Sequence, residues 1–143
     1  MNHDTLRIDG EVKNTVELTR QDLAGFPNVD LVSDVSQLDP RRSGEAVMLD
    51  ALLRRATPDD SATHVTLHSS DGFSASIPLA EVHDRGIVLF QNGGASVPTT
   101  AGGPFRFLIP DAAECKTAEL DACANVKGLA RIELTIGRGR DTR

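Results

Sequence analysis

The chain of 143 residues contains no Tyr and no Trp, and only five Phe. This low aromatic content argues against the base-stacking surfaces of RNA-binding proteins and against large aromatic anchors at protein interfaces. An excess of positive charge is also absent, since the formal net charge is −6 at pH 7. Nucleic-acid binding depends on neutralising phosphates, so we expect no nucleic-acid partner.

Long apolar runs are missing as well. No segment approaches the roughly 18 apolar residues required to cross a bilayer, so we expect no membrane partner. The opening residues, MNHDTLRIDG, show neither the basic region nor the apolar region of a secretory signal, which predicts a cytoplasmic location. Cys115 and Cys123 fit a reducing compartment, and the sequence leaves open whether they form a disulfide or two separate thiols.

Short alternating stretches separated by turn residues make up most of the sequence. The runs LRIDGEVKNTVELT (residues 6–19) and THVTLHSSDGFSASIPL (residues 63–79) each predict a β-hairpin. Thr19, followed by Asp22, predicts the start of a short helix that Gly25 ends. Further strands are predicted at residues 28–38, 87–90, 105–109 and 131–136, and further helices at residues 46–56 and 78–84. Many short strands with three short helices and no βαβ rhythm predict an α+β fold.

The length of the chain suits one domain, residues 1–143, with one hydrophobic core. We place the core of that domain at about residues 6–136. Residues 111–126 are predicted to be irregular or partly helical, and the basic tail GRGRDTR at residues 137–143 is predicted to be a frayed end.

Five motifs follow one another in a distinctive order. The first is LRIDGEV, followed by LT and DL, and the second is VMLDALL. The third is THVTLHSSDGFSASIPL. The fourth is QNGG, followed by VP and GGPFRFLIP, and the fifth is NVKGLARIEL. In this order and spacing, residues 6–136 resemble the oxidoreductase molybdopterin-binding domain of the sulfite oxidase family. The resemblance implies a mixed α+β fold of layered β-sheets and short helices, which in the family binds a pyranopterin whose dithiolene holds molybdenum.

The resemblance also implies which residues contact a cofactor. In the family, the glycine-rich loop passes close to the pterin, where small residues permit close approach of the backbone. Residues matching Arg106 and the run at 125–127 help to hold the cofactor and its phosphate, and an acidic residue matching Asp71 lies at the site. Cations and backbone N–H groups are what a phosphate requires. The predicted cofactor-binding residues are Asp71, Asn92, Gly93, Arg106, Asn125, Val126 and Lys127.

The chain departs from the family pattern where the metal would be held. Family enzymes carry a cysteine there, whose soft thiolate is the protein ligand to molybdenum. This chain has SDVSQLDPRR at residues 33–42, with Ser36 or Gln37 at the expected position. The histidine that precedes the family's G-x-P-x-R element is replaced by Ala101. We therefore predict no catalytic residue and no metal ligand.

These departures favour a domain that has retained the family's fold and has lost the family's catalytic activity. We expect a molybdopterin-binding-domain homologue without molybdenum redox catalysis, which acts as a small-ligand, partner-binding or scaffold domain. We expect no cofactor, and a small anionic ligand, a pterin or a protein as the partner. The alternative is a divergent molybdopterin-dependent oxidoreductase that holds its cofactor through the pterin, with no protein metal ligand or a substitute such as Ser36. Without the resemblance, Arg106 and Lys127 are interpreted as surface charges.

Two other constellations are weaker. His64 and His68 share one face of a predicted strand, but two ligands make a weak metal site, so we interpret both as structural. Ser69 and Ser70 with His68 and Asp71 contain the residue types of a catalytic triad. Neighbours on one strand and turn cannot orient as nucleophile, base and orienting group, so we reject that interpretation.

Overall fold

The computed structural model describes residues 4–110 and 124–143. Its strands are β1 (Thr5–Gly10), β2 (Val16–Thr19), β3 (Leu31–Val32), β4 (Glu45–Met48), β5 (His64–Ser69), β6 (Ser74–Pro78), β7 (Ile87–Gln91), β8 (Arg106–Leu108) and β9 (Leu129–Thr135). Its helices are α1 (Arg20–Ala24), α2 (Leu49–Ala56) and α3 (Leu79–Val82). One sheet has five strands in the order β2-β1-β9-β5-β6, and the other has four in the order β3-β4-β7-β8. The predicted α+β class is confirmed.

Some sequence predictions lie outside the described residues. These are Cys115, Cys123 and most of the segment 111–126, which was predicted to be irregular. Within the described ranges, no helix is both long enough and apolar enough to cross a bilayer.

In the five-stranded sheet, alternation of buried and exposed side chains is clearest at the start of β1. Leu6 and Ile8 of β1 are buried, while Arg7 between them faces outward. β9 joins the two predicted hairpins because it pairs in parallel with β1 and antiparallel with β5, which places Ile132 beside both Ile8 and Leu67. Both hairpin predictions, β1 with β2 and β5 with β6, are confirmed.

The main core lies between the two sheets. It includes Leu6, Ile8, Leu67 and Ile132 from the five-stranded sheet, Val47, Val88 and Phe107 from the four-stranded sheet, and Leu49, Leu52 and Leu53 from α2. A smaller cluster on the other side of the four-stranded sheet contains Val35, Ala46, Ile87, Leu89, Val97 and Leu108. The four-stranded sheet is thus covered on both faces, which explains why the β7 sequence IVLF is continuously apolar.

Helix α1 begins as the sequence predicts. The Thr19 hydroxyl accepts a hydrogen bond from the Asp22 N–H at 3.2 Å, and the Asp22 carboxylate accepts one from the Thr19 N–H at 2.9 Å. The Gly25 N–H then closes the helix on the carbonyls of Gln21 and Asp22. This reciprocal pair satisfies two backbone donors that a helix start otherwise leaves open.

The predicted strand at residues 28–38 is largely wrong. The structure has a 3-10 turn at Asn28–Asp30, the two-residue strand β3, and a second 3-10 turn at Val35–Gln37. The Asp34 side chain accepts a hydrogen bond from the Ser36 N–H at 3.0 Å, and such local side-chain capping competes with strand pairing.

The predicted helix at residues 46–56 begins three residues later than expected. Ala46, Val47 and Met48 belong to β4, which pairs with β7 on one side and β3 on the other. The helical stripe continues correctly from Leu49 to Ala56 as α2. Pairing with distant strands therefore overrode a local apolar pattern that suited a helix.

The prediction of a frayed tail is wrong, because the C-terminal residues are hydrogen-bonded to β6. The Thr142 N–H donates to the Ser74 carbonyl at 2.8 Å, and the Ser74 N–H donates to the Thr142 hydroxyl at 3.0 Å. The Ser76 N–H donates to the Asp141 carboxylate at 3.1 Å, and the Gly139 N–H donates to the Ser76 hydroxyl at 2.9 Å. β6 lies at the edge of its sheet, and the tail satisfies backbone groups that an edge strand leaves unpaired.

Candidate anion-binding site

A cleft of about 440 Å³ lies beside the smaller core cluster. Its walls are formed by Arg41, Arg42, Ser43, Leu89, Asn92, Val97, Pro98, Thr100, Ala101, Arg106 and Lys127. Four of these residues carry a positive charge, and among the described residues that line the cleft none carries a negative charge. We call this feature the cationic cleft.

Arg106 is the most buried of the four cations. The residue is 7% exposed, and its Nη1 donates to the Ala101 carbonyl at 3.3 Å. Its Nε is buried and has no hydrogen-bond partner among the described residues. Burial lowers the pKa of Arg106, the nearby Arg42 lowers it further, and Asp39 opposes both effects. The guanidinium stays charged at neutral pH, so its burial without a paired anion is costly.

Arg41 and Arg42 lie in a turn that precedes β4. The Arg42 N–H donates to the Asp39 carbonyl at 2.9 Å, which closes the turn. The Arg41 side chain pairs with the Asp39 carboxylate at 3.1 Å, and this hydrogen bond lowers the pKa of Asp39. The Arg42 Nε is buried without a partner among the described residues, as the Arg106 Nε is. Two unsatisfied guanidinium donors therefore belong to side chains that line the same cleft.

Gly102 allows Arg106 and Lys127 to approach one another. Its φ of +90° lies in the left-handed region, and an added Cβ would lie 2.8 Å from the Arg106 Cδ and 3.2 Å from the Lys127 Cγ. The Gly128 N–H donates to the Gly102 carbonyl at 2.8 Å, which fixes the backbone beside Lys127. A side chain at residue 102 would crowd both cations.

The glycine-rich loop after β7 binds a carboxylate of its own chain. The N–H groups of Gly93 and Gly94 donate to the two oxygens of Glu45 at 3.1 and 3.3 Å. Asn92 lines the cationic cleft, and its Nδ2 donates to the Ser43 hydroxyl at 3.1 Å. Gly93 does not line the cleft.

Three further residues predicted to bind a cofactor lie outside the lining of the cationic cleft. The Asp71 carboxylate accepts from the Phe73 N–H at 3.1 Å, so it caps the turn between β5 and β6, and that bond lowers its pKa. The Asn125 side-chain oxygen accepts from the Ile109 N–H at 2.9 Å. Val126 belongs to the main core. Each of these side chains has a structural role in the described residues.

The structure thus brings Arg106, Lys127 and Asn92 together in one cleft, and it adds Arg41 and Arg42, which sequence reasoning missed. The only available signal for those two was the pair of adjacent arginines in DPRR. No spacing or periodicity in the segment at residues 33–42 links these two arginines to Arg106.

No alternative metal site replaces the missing thiolate within residues 4–110 and 124–143, where no group of three or more His, Cys, Asp or Glu side chains is arranged around a common point. The Ser36 hydroxyl donates to the Asp34 carboxylate, and Ser36 does not line the cationic cleft. The His68 ring lies 3.0 Å from the Glu133 carboxylate and 3.1 Å from the Ser74 hydroxyl, which fits a structural histidine.

A larger groove of about 610 Å³ lies beside α2 and α3, but its chemistry differs. Leu53, Pro58 and Leu79 form its apolar lining. Arg54 at its edge is already paired with Asp30. Arg54 also pairs with Asp50, and the His83 ring lies 3.4 Å from the same carboxylate, so each basic side chain in this lining already has a carboxylate beside it.

Comparisons with known proteins identify the scaffold. The sequence model of the oxidoreductase molybdopterin binding domain family matches residues 2–138. The crystal structure of the sulfane dehydrogenase SoxCD from Paracoccus pantotrophus is similar in fold, with a TM-score of 0.69 over 94% of this chain at 17% sequence identity. This chain spans 39% of the length of that SoxCD chain. No curated protein matches the sequence. The resemblance inferred from motif order is confirmed.

The cationic cleft fits one part of a pyranopterin cofactor and not another. The unpartnered donors of Arg42 and Arg106, with Lys127 nearby, suit a phosphate or another oxyanion. The segment at residues 33–42 supplies no sulfur donor for a metal.

Proposed function

Because the chain belongs to the oxidoreductase molybdopterin-binding domain family, we propose that it binds a small anionic ligand in the cationic cleft and does not carry out molybdenum redox catalysis. One observation carries this proposal. Arg106 and Arg42 each have a buried Nε without a partner among the described residues, and both side chains line one cleft. An oxyanion bound in the cleft would compensate the charge of both guanidinium groups, and it would supply the missing acceptors once the two side chains turn toward it.

The energetic cost of this arrangement supports a binding role. Leaving a buried polar donor unsatisfied costs about 1–3 kcal/mol, and more for a charged group. Replacing a poorly compensated buried charge with an apolar side chain is often neutral or stabilising. A domain that acted purely as a scaffold would gain stability by losing Arg106, so its presence favours a ligand that uses it.

The size and charge of the cleft indicate the class of ligand. Small-molecule sites commonly have volumes of about 300–1,000 Å³, a range that includes the 440 Å³ of this cleft. Four cations, with Asp39 paired to one of them, favour a ligand that carries a phosphate or a similar oxyanion. A free oxyanion and the phosphate of a pterin share this chemistry. A molybdopterin held there by Arg106 and Lys127 would supply redox chemistry at its metal.

The residues at the family's metal-ligand position support the loss of catalysis. A serine hydroxyl is a harder and less acidic donor than a thiolate, and Gln37 is poorer still. The Ser36 hydroxyl is also engaged by Asp34. Both observations argue against a direct protein bond to molybdenum from this segment.

The test combines composition with binding. The protein is purified from a molybdenum-replete host, and molybdenum per chain and pterin fluorescence after oxidation are measured. The same preparation is titrated with inorganic phosphate and with sulfate by calorimetry. We expect molybdenum far below one atom per chain, together with saturable binding of an anion that the Arg106→Gln variant loses. Because the chain has no Tyr or Trp, a bound pterin would stand out in the absorption spectrum.

Two other outcomes would overturn the proposal. Stoichiometric molybdenum with turnover of an oxidisable or reducible substrate would establish the divergent oxidoreductase, with the cofactor held through its pterin. Absence of both molybdenum and anion binding would leave a scaffold or protein-binding domain whose cleft has no ligand.

A further inference from the structure

Glu45, the first residue of β4, is a half-buried carboxylate two residues after Ser43, which lines the cationic cleft. Its two oxygens accept the N–H groups of Gly93 and Gly94, whose φ values are +61° and +83°. Glycine adopts such angles readily, so the loop can present both N–H groups to one carboxylate. Glu45 thereby occupies the backbone donors that the sequence alone assigns to a ligand.

Other contacts attach the same loop to the rest of the molecule. The Arg20 Nη1 donates to the Gly94 carbonyl at 2.8 Å and to the Gln91 side-chain oxygen at 3.3 Å. The Asn92 Nδ2 donates to the Ser43 hydroxyl. The loop is therefore held from α1 on one side and from the segment before β4 on the other.

These contacts join the two walls of the cationic cleft. One wall contains Arg41, Arg42 and Ser43, which lie just before Glu45 in the chain. The other contains Asn92, Val97, Pro98, Thr100 and Ala101 from the loop and the residues after it, together with Arg106, whose Nη1 donates to the Ala101 carbonyl. The bonds from Gly93 and Gly94 to Glu45 connect these walls through the backbone. A change in these bonds would alter the separation of the walls.

The negative charge of Glu45 is unfavourable for anion binding, so another property must explain a carboxylate at this position. Glu45 does not line the cationic cleft, but it follows Ser43 of the cleft wall by two residues, and a carboxylate there can only weaken the attraction for an anion, because like charges repel. Electrostatics alone would therefore favour a neutral residue at position 45. The geometry of the two bonds to the loop accounts for a carboxylate there.

We propose that Glu45 is a positioning residue that holds the two walls of the cationic cleft at the separation at which Arg42 and Arg106 contact one anion. This inference rests on the proposed function. Glu45 acts through the loop, and the anion contacts Arg42 and Arg106.

Two substitutions at Glu45 separate position from charge. Glu45→Gln removes the charge and keeps a side-chain oxygen as an acceptor for the loop, whereas Glu45→Ala removes both. We expect phosphate to bind Glu45→Gln as tightly as wild type or up to about threefold more tightly, and Glu45→Ala about tenfold more weakly, because the loop loses two charge-assisted hydrogen bonds. Calorimetric titration with inorganic phosphate measures both variants.

The matched controls are Glu17→Gln and Glu17→Ala, which make the same changes at an exposed carboxylate paired with Arg7 on the five-stranded sheet. We expect neither control to change phosphate affinity by more than about twofold at 0.15 M salt, where distant charges are screened. Equal tightening in both Glu45 variants would show that only charge matters, and equal affinity in all variants would show no positioning role. Either result contradicts the proposal.

Amide hydrogen exchange of the free protein gives a readout that needs no ligand. We expect the Gly93 and Gly94 amides to be protected in wild type, partly protected in Glu45→Gln and unprotected in Glu45→Ala. If wild type binds no phosphate, the proposed function fails, while the exchange data still report on the anchoring of the loop. If phosphate binds but the exchange of Gly93 and Gly94 is the same in all three proteins, the positioning role alone is overturned.

Discussion

Arginine side chains occur in two contrasting settings in this molecule. On the outer face of the five-stranded sheet, Arg7 and Arg131 bind opposite oxygens of the Asp9 carboxylate at 2.7 and 2.8 Å. In the cationic cleft, the Nε groups of Arg42 and Arg106 are buried without a partner among the described residues. The side chains of Arg7 and Arg131 are 47% and 39% exposed, so water can solvate them, yet they are the ones that carry carboxylate partners.

The more costly setting is therefore the less compensated one. Surface ion pairs contribute about 0–1 kcal/mol each, whereas an unsatisfied buried donor costs about 1–3 kcal/mol. A sequence selected for stability alone would place its carboxylates in the opposite way. The contrast supports the proposal that the cleft retains its cations for a ligand, whereas the arginines on the sheet face stabilise the fold.

The largest expected effect comes from Arg106→Met. We expect at least about a hundredfold loss of phosphate affinity, because two or more charge-assisted hydrogen bonds of about 1.5–3 kcal/mol disappear. We also expect the free protein to become about 1 kcal/mol more stable, because an unsatisfied buried donor is removed. Calorimetry and urea unfolding without added anion measure the two effects.

Arg131→Met is the control, since it removes an arginine whose partners are Asp9 and Glu133. It should leave phosphate affinity unchanged and lower stability by about 1 kcal/mol. The contrast between the two settings fails if Arg106→Met destabilises the protein as much as Arg131→Met does.

Asp141 is a buried charge that, unlike Arg106, has hydrogen-bond partners. Its substitution is expected to have the next largest effect on stability. Its side chain is 6% exposed and accepts hydrogen bonds from Arg143, the Ser76 N–H and Arg138. We expect Asp141→Asn to lower the free energy of unfolding by about 2 kcal/mol, within the range for hydrogen bonds to a charged group. The exposed Asp60, changed to Asn, is the control and should have little effect.

The same carboxylate predicts a pH dependence. Burial alone would raise the pKa of Asp141, but the bonds from Arg143, Ser76 and Arg138 outweigh it, so the pKa lies well below its ordinary value. A depressed pKa in the folded state stabilises the protein above the unfolded pKa of about 4, and this stability is lost as pH falls below that value. Urea unfolding at pH 7 and pH 3 should show a smaller loss in Asp141→Asn than in wild type. Equal losses would contradict the assignment.

Gly139→Ala tests how closely the C-terminal tail, residues 137–143, packs against the five-stranded sheet. A Cβ at residue 139 would lie 2.2 Å from the Thr66 hydroxyl oxygen, so the tail must shift away from the sheet. We expect a loss of about 1–2 kcal/mol in stability and faster exchange of the Thr142 amide, with unchanged phosphate affinity. Gly25→Ala is the control, because its nearest contact would be an ordinary 3.5 Å. Slow exchange of Thr142 in Gly139→Ala would refute the close packing of the tail.

The smallest expected effect comes from Asp71→Ala. This change removes the cap on the Phe73 N–H, so we expect a loss of about 0.5–1 kcal/mol in stability. Phosphate affinity should stay within about twofold of wild type, because Asp71 does not line the cationic cleft. A tenfold change in phosphate affinity, measured by the same titration, would show that Asp71 contributes to the anion site and would contradict its exclusion from the cationic cleft.

Local patterns predicted the local structure well. The Thr19 cap and the pairing of strands in both hairpins depend on residues close in sequence, and the structure confirms them. The strand β4 was mistaken for helix because its conformation depends on β7, about 40 residues away. The tail was missed because its partners Ser74 and Ser76 lie more than 60 residues earlier in the chain.

The cationic cleft was predictable only in part. Motif order pointed to Arg106 and Lys127, and they lie together because Gly102 and Gly128 bring their segments into contact. Arg41 and Arg42 reach the same cleft through the turn before β4, and no local pattern predicts that approach. Whether Gly93 faces a ligand or Glu45 is decided by a contact between distant segments, which composition cannot reveal.

The most direct test observes the two unpartnered donors themselves. The Nε–H signals of Arg42, Arg106 and Arg131 can be followed by NMR in ¹⁵N-labelled protein while inorganic phosphate is added. We expect the Arg42 and Arg106 signals to shift together and to saturate with one dissociation constant, while the Arg131 signal stays in place. Signals of Arg42 and Arg106 that do not move, or that move without saturation alongside Arg131, would contradict it.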